Sequence, residues 1–383
     1  MKLRNLHIED YKMFKDFDIS FVDENDEALP IVVLAGVNGS GKTTLLEYIY
    51  NFLDHVEGNS ELEFNQRSDI ELDGYLKLDL GKKRTKYLME EDIRKAKEAS
   101  NPTQMVQVVT NVYYDTKNDI FYLPSGIDDT KKVADEFVKT FYFYLKEKDY
   151  RPSEITEYFN QYMKDIFNDL DIGFKYSHLD KEDKVWFTSD DGDGYYYTDK
   201  DNEEKVLFSI DELSTGQKTL LSKILYIYFK DYKDKVILID EPELSLHPKW
   251  QRQILSVYEK LAEKNNCQII IATHSPHIIA SANNKSIRFL GKDEEGNIRA
   301  INNIPAYGRD IEWVLQQMGV EDRRLPKITK RFEEIQVLIN SQKFDKADEA
   351  LDKLEYVIGE NDKDILALRN NLAFERMDFE EDN

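Results

Sequence analysis

The sequence predicts an α/β protein built around a buried parallel sheet. Ile31–Ala35, Val236–Ile239 and Gln268–Thr273 are short apolar runs of strand length. They lack the polar alternation of half-exposed strands and read as strands covered on both faces. The first runs into a glycine-rich turn and then Thr44–Phe52, which reads as a helix. Strand, turn and helix in that order build parallel sheets.

The turn between the first strand and its helix carries Gly36, Asn38, Gly39, Ser40, Gly41, Lys42, Thr43 and Thr44, the pattern G-x-x-x-x-G-K-[ST]. Glycines let successive N–H groups converge on phosphate oxygens beside a helix N-terminus whose dipole favours anions. In that arrangement Lys42 neutralises β- and γ-phosphates and the Thr43 hydroxyl ligates Mg²⁺. The bland alternative, a glycine-rich turn with no ligand, does not explain why strand and helix flank it.

With 383 residues, 41% of them hydrophobic and 12% aromatic, the chain can hold two compact units or one large domain with an insertion. Met1–Phe14 has no apolar core of a signal peptide, and no apolar run reaches spanning length. The one cysteine, Cys267, cannot form a disulfide within the chain, which fits a reducing cytoplasm. The formal charge of −23 opposes a phosphate-gripping surface. Local basic stretches at Lys82–Arg84 and Arg323–Arg324 do not reverse that balance.

Along the chain, Met1–Phe21 alternates as two edge strands around an Asp10–Lys15 bend. Between about 55 and 210 the sequence is polar and lacks nucleotide motifs. Strands are expected at Ile70–Leu80, Val106–Val112, Asp119–Leu123, Val185–Phe187, Tyr195–Tyr197 and Val206–Ile210. Helices are expected over Lys82–Ser100, Lys131–Lys146 and Ser153–Leu170. Ser189–Gly194 superficially matches a calcium loop, but Lys200 stands where a bidentate Glu is required, so a hairpin turn is the better reading. Lys327–Phe374 has helical periodicity broken near Ser341 and Gly359, and an acidic, disordered end is expected over Arg376–Asn383.

Three further features complete the candidate site. The strand Val236–Ile239 ends in Asp240 and Glu241. Asp240 is placed to hold Mg²⁺ and Glu241 to orient a water. Such a strand is expected to lie beside the phosphate-loop strand. Leu213-Ser214-Thr-Gly216-Gln217 opens an apolar helix, Lys218–Phe229, with Ser214 a natural N-cap. His274 ends the third strand, where ligands of α/β folds collect.

Phosphate loop, Leu-Ser-x-Gly-Gln, Asp-Glu-Pro and strand-end His, in that order, resemble the ATP-binding-cassette ATPases, specifically their soluble SMC/RecF-like branch. Asp240–Pro248 and Ala272–Pro276 look like the versions in RecF-like, OLD-like and anti-phage ATPases. The resemblance covers roughly residues 1–55 and 205–300. It implies an ABC-type ATPase head in which two subunits sandwich two ATPs. Ser214, Gly216 and Gln217 would then act in trans, Glu241 would be the catalytic base, and His274 would sense the γ-phosphate. Glu243–Leu246 would cross the dimer interface. Residues 56–205 are an inserted α+β region without the heptads of an SMC coiled coil. Residues 206–300 complete the head and 301–383 form a C-terminal helical tail. The family's Q-loop glutamine is not assigned; Gln66, Gln104 and Gln107 are candidates.

The tail narrows the resemblance. Ile304–Ile311, Met318–Val320, Phe344–Leu351 and Gly359–Asp362 look like the tails of Septu-type and retron-associated defence ATPases. That family pairs the ATPase with a separate HNH-type nuclease. The six histidines, His7, His55, His178, His247, His274 and His277, assemble no nuclease motif here. The resemblance therefore implies a cytoplasmic, ATP- and Mg²⁺-dependent homodimeric regulator of an HNH-type nuclease, reaching nucleic acid through the complex and no membrane. A RecF/OLD-like DNA-repair ATPase acting on DNA itself is the alternative, and a transporter ATPase subunit is a third reading without a membrane segment to support it.

Overall fold

A six-stranded sheet forms the centre of Met1–Met318, the first of two compact units in this computed structural model; Gly319–Asn383 is the second. The structure describes residues 1–54, 68–72, 75–79, 85–89, 120–125, 130–167, 170, 172–189, 195–198, 204–225, 227, 232–302, 304–319 and 324–381.

The strands of the first half are β1 (Leu3–Tyr11), β2 (Phe14–Ser20), β3 (Ile31–Ala35), β4 (Ser68–Leu72), β5 (Tyr75–Asp79), β6 (Thr85–Met89) and β7 (Ile120–Leu123). Those of the second half are β8 (Lys175–Leu179), β9 (Val185–Ser189), β10 (Tyr195–Thr198), β11 (Glu204–Ser209), β12 (Val236–Asp240), β13 (Gln268–Thr273), β14 (Ile287–Lys292) and β15 (Ile298–Asn302).

The central order is β15-β14-β3-β13-β12-β7, parallel from β14 to β7 with β15 antiparallel at one edge. All three apolar runs therefore share one sheet. The expected adjacency is corrected, however. β13 lies between the phosphate-loop strand β3 and the carboxylate strand β12, with Ile271 opposite both Val33 and Ile239. The carboxylates still meet the loop because the helix Lys42–Asp54 leaves β3 and packs across β13, β12 and β7.

The pleat divides the interior in two. Val33, Ile237, Ile239, Ile269 and Ile271 face one hydrophobic cluster, with the helices Thr130–Glu147, Pro152–Phe167 and Ile254–Asn265 around it. Val32, Leu34, Leu238 and Ile270 face the other, covered by β1, β2 and the helix Lys42–Asp54. Burial on both faces is why these strands show no polar alternation.

The N-terminal bend pairs β1 with β2, as the alternation predicts, and β4 adds to the other edge of β1. The helix expected over Lys82–Ser100 is corrected: Thr85–Met89 is strand β6, paired antiparallel with β5. Cross-strand pairing outweighs a charged helical pattern here. The rest of that segment, the strand expected at Val106–Val112, and Gln66, Gln104 and Gln107 lie outside the described residues. The turn read at Ser189–Gly194 lies, past Ser189, outside the described residues, but its flanking strands do not form a hairpin pair. β9 and β10 do not pair; β11 lies between them in the order β10-β11-β9-β8. Around this sheet the rings of Phe137, Phe159, Tyr176 and Phe187 pack together, with Phe159 and Tyr176 centroids 4.8 Å apart.

The second unit is three helices, Pro326–Asn340, Phe344–Ile358 and Lys363–Glu381, broken where the sequence predicts. Gln342 and Gly359 take positive φ at the two turns. Ile335, Ile339, Ala347, Leu351, Leu354, Ile365, Leu368 and Leu372 close its core. The disorder expected from Arg376 is corrected, because the last helix runs on to Glu381.

Candidate functional site

The phosphate loop is tightly built before any ligand is considered. Gly41 has φ +90, and a Cβ there would meet Met13 Sδ and Phe14 Cζ at 2.9 Å. Only glycine fits. Ser40, Gly41 and Lys42 are buried, whereas Val37, Asn38, Gly39 and Thr43 are exposed on the open side of the loop. Lys42 Nζ donates to Gly36 O at 2.8 Å and Val37 O at 2.9 Å, so its ammonium is held inside the loop that should cradle phosphate. Burial pushes its pKa down, opposed by the nearby Glu241, Glu243 and Asp240 carboxylates.

Thr43, the first exposed turn of the helix, donates its hydroxyl to Asp240, 3.1 Å from each carboxylate oxygen. This contact joins residues 197 positions apart. Asp240 is 2% exposed, and burial raises its pKa, helped by Glu241 and countered by the Thr43 hydroxyl. A hydroxyl and a crowded, desolvated carboxylate are hard oxygen donors that suit Mg²⁺. The residues present therefore fit the ion.

Glu241 leaves the strand with φ +45, uncommon for a residue with a side chain. Its N–H donates to Ala272 O at 2.8 Å, and its Oε1 lies 3.1 Å from His274 Nδ1. The structure thus joins the two residues predicted as base and sensor in one contact. Glu243, expected to cross a dimer interface, turns into its own chain instead. At 4% exposure its Oε1 accepts from Thr273 Oγ1 at 2.6 Å, His274 N at 3.0 Å and Ser275 N at 3.1 Å. Leu246 is buried too, leaving Leu244 and Ser245 exposed. The sequence reading missed this role of Glu243; its only local signal is a third carboxylate two residues after Glu241.

Ser214 caps the helix Thr215–Leu220 as predicted. Its Oγ accepts from Gln217 N at 3.3 Å while Gln217 Oε1 accepts from Ser214 N at 3.0 Å, a reciprocal capping box. Ser214 is exposed and Gly216 buried. A Cβ on Gly216 would meet Ser245 O at 2.8 Å, so the helix that Ser214 caps abuts the loop after Glu241. The expected single helix over Lys218–Phe229 is corrected within the described residues: a wider, π-helical turn takes over at Leu221–Leu225. Inside that turn Lys223, 2% exposed, donates to Asp240 O at 3.2 Å and Glu241 O at 3.0 Å. Burial pushes its pKa down to about 8. No sequence signal pointed to it.

Other histidines near these motifs have local work. His247 Nδ1 accepts from Lys249 N at 3.2 Å, capping Pro248–Gln251, and His277 Nδ1 accepts from Arg252 Nε at 3.2 Å. Among the described residues His7, Asp16 and Asp18 gather ligand atoms within 4.8 Å of one another on the N-terminal hairpin. Among them, too, no helix is long and apolar enough to cross a membrane.

Residues 82–280, just over half of the chain, match the family described as "AAA domain, putative AbiEii toxin, Type IV TA system". The chain is similar to the Septu protein PtuA of Bacillus thuringiensis, 31% identical over 137 residues covering 34% of each chain. It is similar to the Retron Ec83 probable ATPase of Escherichia coli, 30% identical over 191 residues, 45% of this chain and 33% of that protein. It is also similar to the OLD nuclease of Thermus scotoductus, 34% identical over 91 residues, 23% of this chain and 17% of that one. The matches span about a third or less of these relatives' lengths.

Proposed function

From the premise that the chain belongs to this AAA-domain family and is a P-loop ATPase, we propose that it is the ATP-driven regulatory subunit of a two-component anti-phage defence complex. ATP closes a homodimer in the cytoplasm, and nucleotide state sets the activity of an HNH-type nuclease partner. One observation carries this reading. Thr43 meets Asp240 and Glu241 meets His274 within one chain, beside the loop that holds Lys42, whereas the exposed Ser214, among the described residues, has its hydroxyl engaged within its own turn. That difference supports a helix N-terminus offered to the triphosphate of a second subunit.

The residues divide the work as follows. The loop N–H groups from Gly36 to Thr44 bind phosphates, and Lys42 exchanges its two carbonyl partners for phosphate oxygens. Thr43 and Asp240 would hold Mg²⁺, which when bound would supply positive charge against the phosphates. Glu241 accepts a proton from the attacking water. His274, held by the Glu243 carboxylate through its backbone N–H, orients Glu241 and reads the γ-phosphate. The segments 1–55 and 206–300 carry the nucleotide motifs of the head; the segment 56–205, read as an insertion, also lends β7 to the central sheet, and of the segment 301–383 the separate unit Gly319–Asn383 is the proposed partner-docking tail.

The test is purification of the chain alone and with the product of its neighbouring gene. Co-purification of a nuclease whose activity changes with ATP supports the proposal; a neighbour that is not a nuclease, or that does not bind, overturns the defence assignment. The relation to an OLD nuclease favours a second reading, direct action on DNA. It predicts ATP-stimulated, salt-sensitive DNA binding by the isolated chain, against a charge of −23.

A further inference from the structure

Lys223 is costly to bury. An ammonium at 2% exposure loses its hydration, and an apolar side chain of the same length would fill the space without that loss. What it does there is specific. Its Nζ donates to two successive carbonyl oxygens, those of Asp240 and Glu241, on either side of the Cα where the backbone takes φ +45. It therefore holds the strand end in the conformation that aims Asp240 at Thr43 and Glu241 at His274. Lys223 also sits on the segment that Ser214 caps, nine residues further on, about 13 Å along a helix. The helix widens to π geometry at Leu221–Leu225, around this side chain. Such turns are uncommon and recur at functional sites.

We infer that Lys223 is a positioning residue for ATP hydrolysis: it ties the Ser214-capped segment to the backbone of Asp240 and Glu241, so that movement of one shifts the catalytic carboxylate. The assignment rests on the reading of Glu241 as the base. Asp240 is also fixed within β12 by its pairing with Ala272, so loss of the contact falls on Glu241, the first residue past the strand, and leaves Lys42 and its loop partners in place. Its loss therefore lowers turnover and leaves nucleotide affinity in place.

The experiment uses the full chain and three measurements: steady-state ATP turnover, binding of a fluorescent ATP analogue, and thermal unfolding. Lys223→Met is expected to lower kcat about tenfold or more while KM and analogue affinity stay within about threefold. Added to Glu241→Gln, it is expected to lower the residual rate no further, because both changes remove one function. A purely structural lysine would lower binding and turnover together, and its effect would multiply with that of Glu241→Gln. Either pattern overturns the assignment, as does a wild-type rate in Lys223→Met. Should the methionine variant fail to fold, Lys223→Gln, which keeps a donor one bond shorter, carries the same comparison. Undiminished turnover in Glu241→Gln overturns the reading of Glu241, and the role of Lys223 with it. Loss of turnover in Glu241→Gln with a wild-type rate in Lys223→Met removes the Lys223 assignment alone.

Discussion

In the N-terminal unit, charged side chains are buried where β3, β12 and β13 end: Lys42, Lys223, Asp240 and Glu243 are each 6% exposed or less. In Gly319–Asn383 no described charged side chain is buried. There the interior is Ile, Leu and Ala, and the charges form surface pairs such as Arg324 with Asp362 and Asp364, and Arg369 with Asp348, Asp352 and Glu355. Buried charge lowers stability unless it is paired, so four such groups kept together at these strand ends fit the proposed ATPase site. The helical unit carries none of that cost and is held chiefly by apolar packing. Substitutions should therefore act on reaction in one unit and on stability in the other.

The sharpest break of this contrast is at Lys42. Lys42→Ala is expected to weaken ATP binding by about 100-fold or more, measured by isothermal titration, with little loss of thermal stability. Glu241→Gln is expected to keep binding and lower turnover by about 100-fold or more, and to accumulate a closed dimer visible by light scattering. If Lys42→Ala mainly shifts the unfolding temperature, the buried charges are structural and the contrast fails; the same outcome in Glu241→Gln, at a partly exposed carboxylate, removes its assignment as the base.

Leu351, fully buried among the three C-terminal helices, tests the other side. Leu351→Ala should cost about 2–5 kcal/mol, enough to unfold a unit this small while the chain's own ATP turnover is retained. Circular dichroism and limited proteolysis would report it. Loss of turnover in this variant would show that the units are not separable in this way.

Ser214 sharpens the comparison, since it is both a cap and a proposed ligand for the neighbour's phosphate. Removing the cap in Ser214→Ala should cost about 1 kcal/mol of stability. A fall in turnover larger than that loss explains, restored by no stabilising co-solvent, separates the second role from the first.

The smallest effect is expected from Asp362. The hydrogen bond from Arg324 holds its carboxyl below the ordinary value of 3.8. A depressed carboxylate adds stability that is present above the ordinary pKa and is lost as pH falls through the depressed one. Acid titration of unfolding should therefore show a small loss below about pH 4, absent in Asp362→Asn and reduced by salt.

Local pattern determined a good part of this protein. The phosphate loop, the three buried strands, the Ser214 cap and the breaks between the C-terminal helices each depend on residues a few positions apart, so spacing and composition suffice to read them. Tertiary structure decided the rest. That β13 stands between β3 and β12, that β11 separates β9 from β10, and that Thr85–Met89 pairs as a strand are outcomes of competition between distant segments. Glu243 on the backbone of His274 and Ser275, and Lys223 on the carbonyls of Asp240 and Glu241, join residues about 17 to 32 positions apart on separate elements. No periodicity encodes such contacts, because a buried polar group takes whichever partner the closed core brings within hydrogen-bond reach.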